Sequence, residues 1–140
     1  MSVIHIPPEF IAQIHESGEA AYPEEGAGFL LGQDGEKKRV LGILPLPNIR
    51  EEAARQNRYL IAPEDYLTAE STAERLGLSV IGVFHSHPDH PDQPSEYDRE
   101  WAQPSFSYVI TSVRSGKAVE SRSWKLSEDR LSFLEETIES

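Results

Sequence analysis

The sequence predicts an α/β fold in which a central mixed β-sheet is flanked by helices. Short apolar runs of strand length alternate along the chain with stretches whose apolar residues recur every three or four positions. Strands and helices that interleave in this way are typical of mixed α/β folds. The chain has 140 residues, the size of one ordinary domain, and we expect residues 1–140 to form a single domain.

A short strand and a helix are predicted at the start of the chain. Residues 2–6 alternate between apolar and other side chains, which is the pattern of a strand. Pro7 and Pro8 suit the first positions of a helix, because proline lacks only an N–H that would be unpaired there. We expect this helix to end by Tyr22-Pro23.

Two buried strands and a second helix are predicted next. Gly26–Gly32 and Arg39–Leu46 are apolar runs of strand length. Residues 47–58 are polar and irregular. Pro63–Leu76 begins with proline and two acidic residues, which suit a helix N-terminus, and Gly77 ends the helical pattern.

The second half of the chain contains the most apolar segment. Val80–Phe84 reads as a central strand that is covered on both faces. A short helix is predicted from Ser95, followed by strands near Ser105–Val113 and Ala118–Leu126. The residues of Ser127–Ser140 fit either a helix or a strand.

The charge balance and the absence of cysteine exclude several classes of protein. Lys and Arg number 13 against 24 Asp and Glu, a net charge of −11, and the scattered basic residues argue against nucleic-acid binding. Without cysteine there is no disulfide framework, cysteine-ligated cluster or cysteine nucleophile. No apolar run approaches the ~18 residues of a membrane helix, and the N-terminus does not resemble a secretion signal. We therefore expect a cytoplasmic protein without membrane partners.

A candidate metal site follows the central strand. Side chains two apart on a strand point to the same side, so His85 and His87 can share one metal ion, and Pro88 then turns the chain away. Asp98 lies 98 − 87 = 11 positions after His87, far enough for a loop to return a third ligand. Two histidines and one carboxylate are a common catalytic zinc set. A purely structural interpretation also exists, because Ser95 and Asp98 suit a helix N-terminus.

Two further polar residues of this region receive structural interpretations. Strand alternation turns Ser86 away from the side that His85 and His87 share. His90 lies in the proline-rich loop Asp89–Pro94 and is interpreted as a solvated histidine.

The two histidines and the residues after them resemble a known family motif. The segments Gly82–Pro88 and Pro94–Asp98 resemble the JAMM motif of the MPN/JAB metalloprotease family, whose fold is cytidine-deaminase-like. The upstream glutamate of that motif matches Glu25, with Glu24 as the second choice. The resemblance extends from the first helix to Leu126, and for the tail it favours a terminal strand. At residue 27 the chain has alanine where many relatives carry cysteine, a side chain outside the family's catalytic groups.

The resemblance implies a role for each residue of the motif. His85, His87 and Asp98 would hold Zn²⁺. Glu25 would take the proton of the attacking water and pass it to the leaving amine. Ser95 would donate a hydrogen bond to the oxyanion of the tetrahedral intermediate.

The resemblance also implies a substrate class. Family members cleave peptide or isopeptide bonds at the C-terminal Gly-Gly end of ubiquitin-like proteins, and small prokaryotic members are associated with sulfur carriers of that type. The tail could pair with a sheet edge near Tyr59–Ile61 or with the loop after Pro88. The alternatives are a deconjugating isopeptidase, a metal-free MPN scaffold that only binds protein partners, and a DNA-associated role that the acidic charge disfavours.

Overall fold

Seven strands and three helices alternate along the described chain. The computed structural model describes residues 2–46 and 61–140. The elements are β1 (Val3–His5), α1 (Pro8–Ala21), β2 (Ala27–Asp34), β3 (Lys38–Leu46), α2 (Pro63–Arg75), β4 (Ser79–Pro88), α3 (Glu96–Trp101), β5 (Ser107–Arg114), β6 (Lys117–Leu126) and β7 (Phe133–Glu139).

The predicted mixed α/β arrangement is confirmed, with element bounds within a few residues of those observed. The segment Ser127–Ser140, for which the residues alone allowed helix or strand, contains the strand β7 that the resemblance implied. The predicted irregular segment 47–58 lies outside the described residues. No helix of the described residues is long and apolar enough to cross a membrane.

Proline begins both long helices. Pro8 and Pro63 occupy the first helical position, where the fixed φ of proline favours a helix. In α2 the Asp65 carboxylate also accepts a hydrogen bond from the backbone N–H of Ala62 at 2.9 Å. Gly77 follows α2 with a φ of 71°, a left-handed conformation that glycine adopts without strain.

All seven strands belong to one sheet that closes on itself. Their order is β1-β3-β2-β4-β5-β6-β7, and β7 pairs back onto β1. The pairs β1–β3, β1–β7 and β4–β5 are parallel and the others are antiparallel. The closing pair aligns Val3 with Thr137 and His5 with Glu139.

Strand β4 lies between β2 and β5, with a helix over each of two apolar clusters. One cluster joins Ile14 of α1 to Phe84 and Val109. The other joins Ala69 of α2 to Val83. This confirms the predicted central strand, which is covered on both faces.

Glycine is required where β4 and β5 approach each other. A Cβ on Gly82 would lie 2.1 Å from the carbonyl oxygen of Ser107. We therefore expect Gly82→Ala to lower the free energy of unfolding by about 1–3 kcal/mol, since the two strands would have to separate. Urea denaturation measures this change. Gly42→Ala in β3 is the control, because a Cβ there meets no atom within 4 Å. Equal losses in both variants would contradict the close-approach explanation.

A buried polar network joins four strands away from the two histidines. The carboxylate of Glu136, which is 1% exposed, accepts hydrogen bonds from the hydroxyls of Ser2, Ser107 and Ser123 at 2.7–2.8 Å. The Lys38 ammonium donates to the Ser107 hydroxyl at 3.0 Å. Burial lowers the pKa of Lys38, and the charge of Glu136 opposes that shift. The network therefore connects β3, β5, β6 and β7 through one carboxylate.

Candidate metal centre

Strand β4 presents two buried histidines on the same side. His85 is 1% exposed and His87 is 8% exposed, and their ring centroids are 5.0 Å apart. Their neighbour Ser86 points to the opposite face, where its side chain lies near Gly18 of α1. The alternation expected from the sequence is therefore present at the end of this strand.

Asp98 reaches both histidines from the first turn of α3. Its Oδ1 lies 3.5 Å from Nε2 of His85, and its Oδ2 lies 3.2 Å from Nε2 of His87. Ser95 caps the helix: its hydroxyl accepts from the Asp98 N–H at 3.1 Å, and its own N–H donates to Asp98 Oδ2 at 2.8 Å. The structural and the functional interpretation of these residues therefore hold together, because the cap orients the carboxylate toward the histidines.

The electrostatics of this cluster keep Asp98 ionised. Burial by itself would raise the pKa of Asp98. The charges of His85 and His87, the hydrogen bond to His87 and the Ser95 N–H outweigh that effect and lower the pKa to about 2. An anionic carboxylate next to two imidazoles is a suitable donor for a divalent cation.

Glu25 completes the cluster from the segment before β2. It is 4% exposed, and its Oε1 lies 3.6 Å from Nδ1 of His85. One ligand atom each from Glu25, His85 and His87 can be chosen so that all lie within 4.8 Å of one another. Glu24, the second choice from the sequence, is half-buried and lines a neighbouring cavity instead of this cluster.

The loop after β4 is tied to three strands through its carbonyl groups. The carbonyls of residues 90–92 accept hydrogen bonds in turn from Ser112 Oγ at 2.6 Å, His87 Nδ1 at 2.8 Å and Trp124 Nε1 at 3.0 Å. The bond from Nδ1 turns Nε2 of His87 toward Asp98. Sequence reasoning did not find Ser112 or Trp124, because they lie on β5 and β6 and carry no motif.

One cavity lies at this cluster, and a second shares a lining residue with it. The first has a volume of about 560 Å³ and is lined by Glu25, His87, His90, Pro91, Gln93, Pro94, Ser95, Glu96 and Tyr97. The second, of about 680 Å³, is mostly apolar and is lined by Ile61, Ala62, Pro63, Tyr66, Leu67, Tyr97, Trp101 and Gln103. Tyr97 borders both, so the apolar groove is a neighbour of the cavity that His87 and Glu25 line.

The donor set fits a transition-metal ion. Imidazole nitrogens and carboxylate oxygens that converge from different elements are the usual ligands of Zn²⁺ in catalytic sites. His85, His87 and Asp98 could supply three such ligands, and Glu25 lies close enough to act on a bound molecule or to become a ligand itself. The exposed His90 is not part of this group.

Comparison with known proteins identifies the family. A model of prokaryotic homologues of the JAB domain matches residues 7–127. The chain belongs to this family. A probable TtuB-protein conjugate cleaving protease of Thermus thermophilus is 32% identical to this JAB-domain protein over 108 residues, which cover 77% of the chain and 69% of the relative. A desampylase of Haloferax volcanii is 30% identical over 103 residues, which cover 73% of this chain and 72% of the relative.

A solved structure shares the fold over nearly the full length. A protein from Salinibacter ruber, whose structure was determined in solution, is 42% identical to this JAB-domain protein with a TM-score of 0.76. The match covers 99% of the chain and 90% of that protein. The family resemblance and the JAB fold expected from the sequence are confirmed, and the protease relatives support hydrolase activity.

Proposed function

We propose that this protein is a zinc-dependent peptidase that hydrolyses the peptide or isopeptide bond at the C-terminal Gly-Gly end of a ubiquitin-like sulfur-carrier protein. The observation that carries the proposal is the convergence of His85, His87, Asp98 and Glu25 beside a cavity that Glu25 and His87 line. The two protease relatives support the same class of reaction.

Three residues would hold the metal. His85 and His87 offer imidazole nitrogens, and Asp98 offers an ionised carboxylate between them. Zn²⁺ bound there would polarise the scissile carbonyl and make water a stronger nucleophile at neutral pH. The hydrogen bond from His87 Nδ1 to the carbonyl of Pro91 would keep Nε2 directed at the ion.

Glu25 would transfer the proton, and Ser95 would stabilise the developing negative charge. The carboxylate of Glu25 accepts a proton from water as the water oxygen attacks the scissile carbonyl carbon. It then passes that proton to the leaving amine as the C–N bond breaks. The products are a carboxylate and an amine. The Ser95 hydroxyl, which accepts from the Asp98 N–H and borders the cavity, can donate a hydrogen bond to the oxyanion.

The cavities suit a glycine tail attached to a folded protein. Two glycines have no side chains, so they can pass along the cavity between Glu25 and Pro94. The body of the carrier would then cover the apolar groove on the other side of Tyr97, which borders both cavities. With a net charge of −11, this protein favours a carrier whose contacting face is neutral or basic.

Trp101 is the expected anchor for the body of the carrier, because it is 62% exposed and borders the apolar groove. We expect Trp101→Ala to raise KM for a protein carrier about tenfold or more and to change kcat less than about twofold. Steady-state kinetics with a folded carrier measures both constants. Leu76→Ala is the matched control, since Leu76 is also 62% exposed but lies outside the groove. Equal KM values for Trp101→Ala and the wild type would show that the groove is not part of the carrier-binding surface.

Zinc stoichiometry tests the proposed function first. Elemental analysis of untagged protein after exhaustive dialysis at neutral pH is expected to give about one zinc per chain. Asp98→Asn is expected to lose the ion or to bind it at least about tenfold more weakly. Asp34→Asn, which alters an exposed carboxylate, should retain it.

A wild type that binds no zinc, even after metal addition, would overturn the proposed peptidase function. It would favour a metal-free scaffold that binds protein partners. If zinc is bound, two substrates separate the leaving groups: a carrier with one residue added after Gly-Gly, and the same carrier joined to a lysine side chain. Cleavage of only the second would identify a deconjugating isopeptidase.

A further inference from the structure

The hydroxyl of Ser86 makes a hydrogen bond that the proposed chemistry does not use. Ser86 is 2% exposed and lies between the two histidines, on the other face of β4. Its Oγ accepts from the backbone N–H of Gly26 at 2.8 Å, and its own backbone N–H donates to the carbonyl of Gly26 at 2.9 Å. Ser86 therefore makes hydrogen bonds with both the backbone N–H and the carbonyl of Gly26.

The hydrogen-bonded N–H belongs to the peptide unit that joins Glu25 to Gly26. The orientation of that unit sets the ψ angle of Glu25, and with it the direction in which the Glu25 side chain leaves the backbone. The regular ladder between β2 and β4 ends with the pair Ala27–His85. One residue beyond that pair, the Ser86 hydroxyl accepts a hydrogen bond from the Gly26 N–H, and this bond fixes the backbone beside Glu25.

Helix α1 encloses this hydrogen bond. A Cβ on Gly26 would lie 3.0 Å from the carbonyl oxygen of Ser17 and 3.1 Å from Cβ of Ala21. A Cβ on Gly18 would lie 3.1 Å from Cβ of Ser86. Because α1 packs this closely, a buried N–H that loses the Ser86 hydroxyl has little room for a replacement partner.

We propose that Ser86 is a positioning residue for Glu25: its buried hydroxyl orients the Glu25–Gly26 peptide unit so that the Glu25 carboxylate faces the histidines and the cavity. The inference rests on the proposed function, in which Glu25 transfers the proton. The Ser86 side chain lies on the opposite face of β4 from the two histidines and is not among the residues that line the cavity, so its link to the proposed chemistry is the Glu25–Gly26 peptide unit.

Ser86→Ala and Ser86→Thr test this role, because threonine keeps a hydroxyl and alanine removes it. In Ser86→Ala we expect the Gly26 amide to exchange about tenfold faster in an NMR hydrogen-exchange experiment, with the amides of β5 unchanged. The ¹³C signal of the Glu25 carboxyl group, assigned by comparison with Glu25→Gln, should also shift. Cleavage should show kcat lowered about 10–100-fold with KM and zinc content unchanged.

Two comparisons separate positioning from a general loss of stability. Ser86→Thr should restore the exchange rate, the carboxyl signal and kcat toward wild-type values. Ser123→Ala removes an equally buried hydroxyl that is bonded to Glu136, and it should change none of the three.

The proposed function and the role of Ser86 can fail separately. If the wild type cleaves no carrier, the proposed function fails, and the NMR measurements alone decide the role of Ser86. If Ser86→Ala leaves the Gly26 exchange rate and the Glu25 carboxyl signal at wild-type values, the positioning role is overturned. An active wild type with unchanged kcat in Ser86→Ala overturns it as well.

Discussion

Glu25→Gln is expected to lower kcat for carrier cleavage about 10²–10⁴-fold while the zinc content stays at the wild-type value. Glutamine has nearly the same size and keeps the buried position, which is 4% exposed in Glu25, but its amide cannot accept and return a proton. Single-turnover cleavage with saturating enzyme, together with elemental analysis of the same sample, measures both quantities.

Glu24→Gln is the matched control, because it changes the adjacent carboxylate that lines the neighbouring cavity. We expect it to retain kcat within about twofold of the wild type. A large loss in Glu24→Gln with an active Glu25→Gln would assign the proton transfer to Glu24. Loss of zinc from Glu25→Gln would make Glu25 a ligand, which its short distances to His85 and His87 also permit.

Glu136→Leu is expected to lower the free energy of unfolding by about 3–5 kcal/mol. The change removes the carboxylate that accepts from the hydroxyls of Ser2, Ser107 and Ser123, and the buried Lys38 loses the favourable charge of Glu136. Urea denaturation followed by circular dichroism measures the loss.

Glu135→Leu on the same strand is the control, because that side chain is 51% exposed. A change within about 0.5 kcal/mol is expected there. A loss below about 1 kcal/mol in Glu136→Leu would show that the network is replaceable and that apolar packing alone closes the sheet.

The local features of this structure could be predicted from the sequence. The apolar run of β4, the two-residue spacing of His85 and His87, and the Ser95–Asp98 cap depend on neighbours along the chain, so periodicity and capping rules predict them. The proline starts and the glycine after α2 are local signals of the same kind.

Long-range features were not predictable from residue patterns. Glu25 precedes His85 by 85 − 25 = 60 positions, and only the family resemblance singled it out among many acidic residues. The contacts of Ser112 and Trp124 with the loop exist because β5 and β6 lie beside β4. Glu136 occurs in a polar tail, and its burial results from the closure of the sheet.

Closure of the sheet also constrains how a nascent chain can fold. Strand β1 leaves the ribosome first, yet one of its two partners is β7, and the Ser2–Glu136 bond spans 134 positions. Contacts over such separations form late, because a long loop must close before they contribute. During synthesis, β1 and β6 therefore each keep an unpaired edge until β7 emerges, and these edges are where chaperones would be needed or where copies would aggregate.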